Sequence, residues 1–319
     1  MDYGLGLPTR GPLAKPEAII ALAQRSEELG FRYLGVSDHI VIPKDISSRY
    51  PYSKTGEFST SQPGDCLEQL TLLSFLASLT STARLLTSVM VLPHRNPVHV
   101  AKVLASIDVL SKGRLTLGCG VGWMREEFEA IGAPPYDDRG AVGDEYIRAF
   151  KELWTSDNPS FAGKYCRFSD VVFLPKPVQK PHPPIWVGGE SPRALRRVAQ
   201  LGDGWYPIGS NPRFPLQTVA QYSQAVDRLR RYTSECGRDP SKLVLAYSAG
   251  WYNEGEARHL ADGQRQSFTG TFKEIAGDIR AFREVGVGHL ILNFQSNTLD
   301  ETLERMDNFA KQIIPAVEG

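Results

Sequence analysis

The sequence predicts a parallel α/β barrel of the (β/α)8 type. Strand-like and helix-like segments alternate along the whole chain, eight times in 319 residues. The strand segments are short apolar runs, as in a parallel sheet covered by helices. Three long interruptions, at 43–65, 121–140 and 252–270, all follow strands, the side on which a barrel carries its site. Eight units in this length suit a closed barrel better than an open doubly wound sheet, and one domain over 1–319 is expected.

The first strand is expected at 3–7. A helix follows at 16–29, with Ile19, Leu22, Ala23, Ser26 and Leu29 on one face and Gly30 as its stop. The second strand is 33–36, and the polar segment 43–65 leads to an apolar helix at 67–79. The third strand is 85–91, its helix 98–110, ended by Lys112-Gly113. The fourth strand lies in 113–123, GRLTLGCGVGW, where Leu115, Leu117 and Cys119 alternate with Thr116 and Gly118. A long helix follows at 141–154.

The segment 156–184, rich in Pro and aromatics, precedes a strand and is expected to be a flanking excursion with a short hairpin at 161–168. The fifth strand is 185–187 and its helix 192–201. The sixth strand is 204–207, its helix 216–236. The seventh strand is 244–251, followed by 252–270, whose Gly, Arg and Gln suggest a mobile loop, a composition that allows a lid. A helix at 272–285, the eighth strand at 289–293 and a helix at 299–314 complete the series. Trp186, Trp205 and Trp251 fall in or beside strands and are expected in the core.

Composition excludes several classes. Lys and Arg total 36, Asp and Glu total 36, so no basic block invites nucleic acid. No apolar run reaches membrane-spanning length and no charged-then-apolar leader opens the chain, so a cytoplasmic location is expected. Cys66, Cys119, Cys166 and Cys236 lack paired spacing and are expected to be free thiols. His94, His99, His182, His259 and His289 show no ligand spacing, so no metal is expected. No G-x-S-x-G elbow points to a serine hydrolase.

Four stretches carry the chemistry. The fourth strand ends in Gly120-Val121-Gly122, bare backbone beside Trp123. Either this is the lip of a site or a tight turn with a core Trp. The fifth strand ends in Gly188-Gly189, with Ser191 as N-cap and Pro192 in the first helical position. That is either a phosphate cradle or an ordinary capped helix. Asp38-His39 closes the second strand with a carboxylate and a group that titrates near neutrality, or else caps a loop. Thr87-Ser88-Val89 puts small residues in the third strand.

These stretches resemble the luciferase-like monooxygenase superfamily, bacterial-luciferase-type barrels, nearly end to end. The most specific segments are GRLTLGCGVGWMREEFEAIGAPPYDDRG at 113–140 and PKPVQKPHPPIWVGGESPRALRRVAQLGDGWYPIG at 175–209. FRYLGVSDHIVIP and TSVMVLPHRNPVHVAK agree as well. Together they are most similar to the branch that uses the deazaflavin coenzyme F420.

The resemblance implies a tricyclic ring in the barrel mouth. Asp38 would contact the ring edge. Ser88-Val89 would be a cis peptide in a bulge against one ring face. Gly120, Val121 and Gly122 would pass the cofactor side chain, while Gly188, Gly189 and Ser191 would hold its phosphate. His39 matches an acid/base candidate of the family's sugar-phosphate dehydrogenases. Those enzymes carry a glutamate where this chain has Trp123, which argues against sugar phosphates. Trp123, Met90 and Tyr136 instead suggest a pocket for an apolar or aromatic substrate.

The implied function is hydride transfer between F420 and a small organic molecule. The alternative is an FMN-dependent monooxygenase, with a reductase supplying reduced cofactor. A non-catalytic flavin- or F420-binding protein is the alternative of another class, although such members tend to have lost barrel units. The resemblance also suggests a homodimer.

Overall fold

The apolar runs close into one ring. The computed structural model describes residues 1–58 and 66–318. Its barrel strands are β1 (Asp2–Gly6), β2 (Tyr33–Val36), β3 (Arg84–Thr87), β4 (Leu115–Gly120), β5 (Ile185–Val187), β6 (Gly204–Trp205), β7 (Val244–Ala249) and β8 (His289–Leu292). Each pairs in parallel with its neighbours in chain order, and β8 pairs with β1. The predicted fold class is the one observed.

Around the ring lie α1 (Pro16–Glu28), α2 (Gln69–Leu79), α3 (Pro97–Leu110), α4 (Arg125–Ala130), α5 (Arg139–Thr155), α6 (Pro192–Leu201), α7 (Val219–Glu235), α8 (Phe272–Val285) and α9 (Leu299–Asn308). Short polar side chains start many of them. Asn96, Ser191, Thr218, Thr271 and Thr298 each accept a first-turn N–H bond. The final helix runs past its expected end, through a wide turn at Phe309–Ile313, to Glu318.

Two apolar layers hold the molecule together. The larger fills the space between ring and helices. The smaller fills the barrel interior with Tyr33, Leu86, Trp186, Tyr206, Ala246 and Ile291, and Val89 packs against it. The alternation of Leu115, Leu117 and Cys119 with smaller residues on β4 serves this division. Those three belong to the outer layer, and the inward face is left to Thr116, Gly118 and Gly120.

The third strand differs from the continuous segment expected at 85–91. Pairing with β4 runs Leu85 to Leu115 and Leu86 to Thr116, then resumes with Met90 to Cys119 and Val91 to Gly120. Three residues, 87–89, therefore face two, 117 and 118, a one-residue bulge. The Ser88–Val89 peptide within it is cis. The extra residue reverses which side chains point inward. Leu86 faces the barrel interior, whereas Met90, an even number of positions on, belongs to the outer layer at 1% exposure. Met90 therefore does not line a pocket in the mouth, contrary to expectation.

Glycines on β4 and β5 make room for the bulge. A Cβ on Gly118 would lie 2.1 Å from the Thr87 carbonyl oxygen, and one on Gly120 2.9 Å from Val89 Cγ2. A Cβ on Gly188 would stand 3.3 Å from Val89 Cγ1.

Of the polar segment 43–65, residues 59–65 lie outside the described residues. The hairpin expected at 161–168 is present as a two-stranded antiparallel pair. The segment 252–270, expected to be a mobile loop, is tied down at several points. Asn253–Glu254 pairs with Thr269–Gly270, Trp251 Nε1 donates to the Ser267 carbonyl, and Arg265 forms an ion pair with Asp278 at 2.6 Å. Among the described residues all four cysteines are free, and no helix is long and apolar enough to cross a membrane.

Candidate functional site

A cavity of about 690 Å³ opens where β1, β2, β7 and β8 end. Its floor is small or polar: Gly6, Gly35, Ser37, Ser88, Ser248 and Asn293. A second cavity of about 550 Å³ adjoins it along Gly250, Asn293, Gln295 and Ser296. Of the residues singled out in the sequence, Ser88 lines the first cavity. Its hydroxyl lies 2.9 Å from that of Tyr206, across the barrel interior.

Asp38 and His39 follow β2 but have different tasks. The Asp38 side chain has no exposed surface. Its Oδ2 accepts from the Val91 N–H and from Arg95 Nη1, both at 2.8 Å, and its Oδ1 accepts from Arg95 Nη2 at 2.7 Å. Both oxygens are thus committed to pinning the end of β2 to the segment after the bulge. The implied contact with a ring edge is replaced by an internal clamp, because Arg95 supplies a stronger, two-pronged partner.

His39 is held by a carboxylate from further along the chain. Its Nδ1 lies 2.8 Å from Oε2 of Glu127. The other oxygen, Oε1, accepts from the N–H groups of Ile40 at 2.8 Å and Val41 at 3.3 Å. Burial pushes the Glu127 pKa up, but the His39 bond and charge, His94 and the Ile40 N–H together bring it below the ordinary glutamate value. His94 Nδ1 lies 3.9 Å from the same carboxylate.

The segment 41–58 lays aromatic rings beside these groups. Trp123 meets Tyr50 and Phe58 with ring centroids 5.0 and 5.2 Å apart. Phe58 also meets His39 at 5.3 Å, and Arg10, a cavity residue, lies 4.6 Å over its face. Tyr136 is a strut. Its hydroxyl donates to the Trp123 carbonyl at 2.8 Å, and its ring sits against the guanidiniums of Arg125 and Arg139.

The Gly188–Ser191 corner is firmly built. Gly189 has φ +95°, a left-handed conformation that suits glycine. Trp205 Nε1 donates to its carbonyl at 2.9 Å. The Ser191 hydroxyl accepts from Ala194 N, which starts α6. Between them Glu190 turns inward, 4% exposed, and accepts from Ile208 N and Asn211 Nδ2. Burial pushes its carboxyl up to about 7, against the pull of those two donors.

Gly120 and Gly188 meet at Val89, but Gly122 does not join them. A Cβ there would lie 2.7 Å from Phe128 and 2.8 Å from Val91, so Gly122 serves packing beneath α4. Val121 packs toward Gly143 of α5.

Residues 1–251 match the family model for luciferase-like monooxygenase. The chain belongs to that family. A luciferase-like relative in Pseudomonas putida, an FMNH(2)-dependent dimethylsulfone monooxygenase, is 32% identical over 254 residues, covering 77% of this chain and 66% of its own. The chain thus spans just under two thirds of that relative. Two solved structures share the fold over nearly their whole length. Monooxygenase RslO1 from Streptomyces bottropensis superposes with a TM-score of 0.77 at 24% identity, covering 99% of each chain. The coenzyme F420-dependent tetrahydromethanopterin reductase from Methanopyrus kandleri gives 0.75 at 14%, covering 98% of each.

Sequence reasoning missed Glu127, Glu190 and Arg95. Glu127 left a usable signal. Met124, Glu127 and Phe128 share one helix face, and a carboxylate on an otherwise apolar stripe needs a partner.

Proposed function

We propose that the chain is an oxidoreductase that binds a flavin-type cofactor in the barrel mouth and serves a small organic substrate. The single observation behind this is the mouth cavity itself. Small side chains and backbone, Gly6, Gly35, Ser37, Ser88 and Gly250, line about 690 Å³ beside the β3 bulge. Such a surface fits a flat ring that bulky side chains would exclude. Gly188, Gly189 and the start of α6 would hold the phosphate end, since the first N–H groups of a helix lack partners within it.

The bound cofactor would supply two-electron chemistry, as hydride transfer with F420 or oxygen activation with FMN. The chain's own residues do the rest. Ser88 would form part of the surface under the ring, with Val89 packed beside it. Trp123, with Tyr50 and Phe58, offers an aromatic wall to a substrate, and Asn293 and Ser248 offer polar groups opposite. His39 stands at the rim as the group that takes or gives a proton.

The segments at 113–140 and 175–209 favour F420. The similarity to an FMNH(2)-dependent relative favours FMN. Titration of the purified protein with each, followed by absorbance and fluorescence, decides between them. Saturable one-to-one binding of one cofactor is the expected result. Binding of neither overturns the proposal.

A further inference from the structure

We propose that Glu127 is the positioning residue for His39, fixing its tautomer so that Nδ1 carries the proton and Nε2, which has no hydrogen-bond partner among the described residues, is the nitrogen that can accept one. The geometry carries this. A carboxylate oxygen 2.8 Å from Nδ1 requires a proton between them, because two acceptors at that distance repel. The carboxylate cannot turn away, because its other oxygen is held by the N–H groups of Ile40 and Val41. Its helix cannot shift easily either, since Met124 and Phe128 on the same face are 1% and 2% exposed.

The Glu127 side chain is 1% exposed and that of His39 12%. The pair is therefore nearly dry and its hydrogen bond little screened. Among the described residues, four charged or titratable groups lie close to it besides Asp38. His94, packed on Phe128, faces the carboxylate at 3.9 Å, the Cys66 thiol donates to the His39 carbonyl at 3.7 Å, Arg10 lies over Phe58 beside His39, and Asp38 is neutralised by Arg95. Burial pushes the His94 pKa down, so at neutral pH it adds no cation to compete for Glu127.

With Nε2 unpartnered among the described residues, His39 is set to accept a proton from a substrate O–H or N–H. The imidazolium so formed would have its charge balanced by Glu127. The inference relies on the proposed function for what His39 does, not for how it is held.

The test is nitrogen NMR of protein labelled at histidine. In the unaltered protein His39 should be present as the Nδ1–H tautomer by about tenfold or more, as a hydrogen bond to a buried charge implies. Glu127→Gln should bring the two tautomers within about threefold of each other. It should also lower turnover of the cofactor-loaded protein while leaving cofactor affinity unchanged. A freely exchanging or Nε2–H ring in the unaltered protein overturns the inference, and that measurement needs no variant to fold. An unchanged ratio in Glu127→Gln overturns it too. A locked tautomer together with full turnover in His39→Asn would instead sink the acid/base role and leave the placement of the ring intact.

Discussion

Asp38 and Arg95 form a two-pronged ion pair at 2.7 and 2.8 Å, with no Asp38 surface exposed. The pair ties the end of β2 to the chain just past the β3 bulge. Asp38→Asn keeps the shape but removes the charge, leaving a guanidinium that is 12% exposed with only the half-exposed Glu68. A loss of about 3 kcal/mol in urea unfolding is expected. A variant that keeps its stability and loses about tenfold in cofactor affinity would return Asp38 to the ring edge.

Gly120 and Val89 leave no space between them. Gly120→Ala places a methyl 2.9 Å from Val89 Cγ2 and should cost about 1–3 kcal/mol. Adding Val89→Ala removes the opposing atom, so the double variant should lose less than the two single changes together. Thermal unfolding of the four proteins checks this.

Glu190 gives stability a pH dependence. Its carboxyl titrates near 7 in the fold and near 4.5 in a free chain. The fold therefore favours the protonated form. That contribution is whole below about 4.5 and is lost as pH rises through about 7. At about 1.4 kcal/mol per pH unit it amounts to about 3 kcal/mol. Glu190→Gln should flatten the stability profile between these values and be the more stable protein at pH 8. A slope unchanged by the substitution would refute the assignment.

Tyr136 should behave as a strut. Tyr136→Phe loses the bond to the Trp123 carbonyl and should cost about 1 kcal/mol. Cofactor affinity should not change, because the ring and its two arginine neighbours remain. A changed substrate KM at constant stability would place Tyr136 in the pocket after all.

The eight units were legible because each apolar run has the length and flanking turn signals of a buried strand, and because caps such as Asn96 and Ser191 announce their helices. The capped corner at Gly188–Ser191 was legible for the same local reason. Met90 was misplaced because alternation assumes an unbroken strand, and nothing in Thr87-Ser88-Val89 reveals by spacing that one residue is extra. The Asp38 clamp was not foreseen because its partner, Arg95, lies 57 positions away. Pairs such as His39 with Glu127 depend on which loop ends meet at the barrel mouth, and that proximity exists only after the ring has closed. The tie-down of 252–270 likewise rests on Asp278, a residue of α8 outside the segment itself.

The slip between 86/116 and 90/119 has a bearing on how this surface changes over generations. Exchanging one amino acid for another cannot add or remove a position, so point substitutions leave the inside–outside assignment of every later β3 side chain intact. Position 89 is then held to the barrel interior beside Gly120 and Gly188, while position 90 is held to the outer apolar layer. Only an insertion or deletion near 88 would trade the two, and it would turn a methionine toward the cavity in a single event.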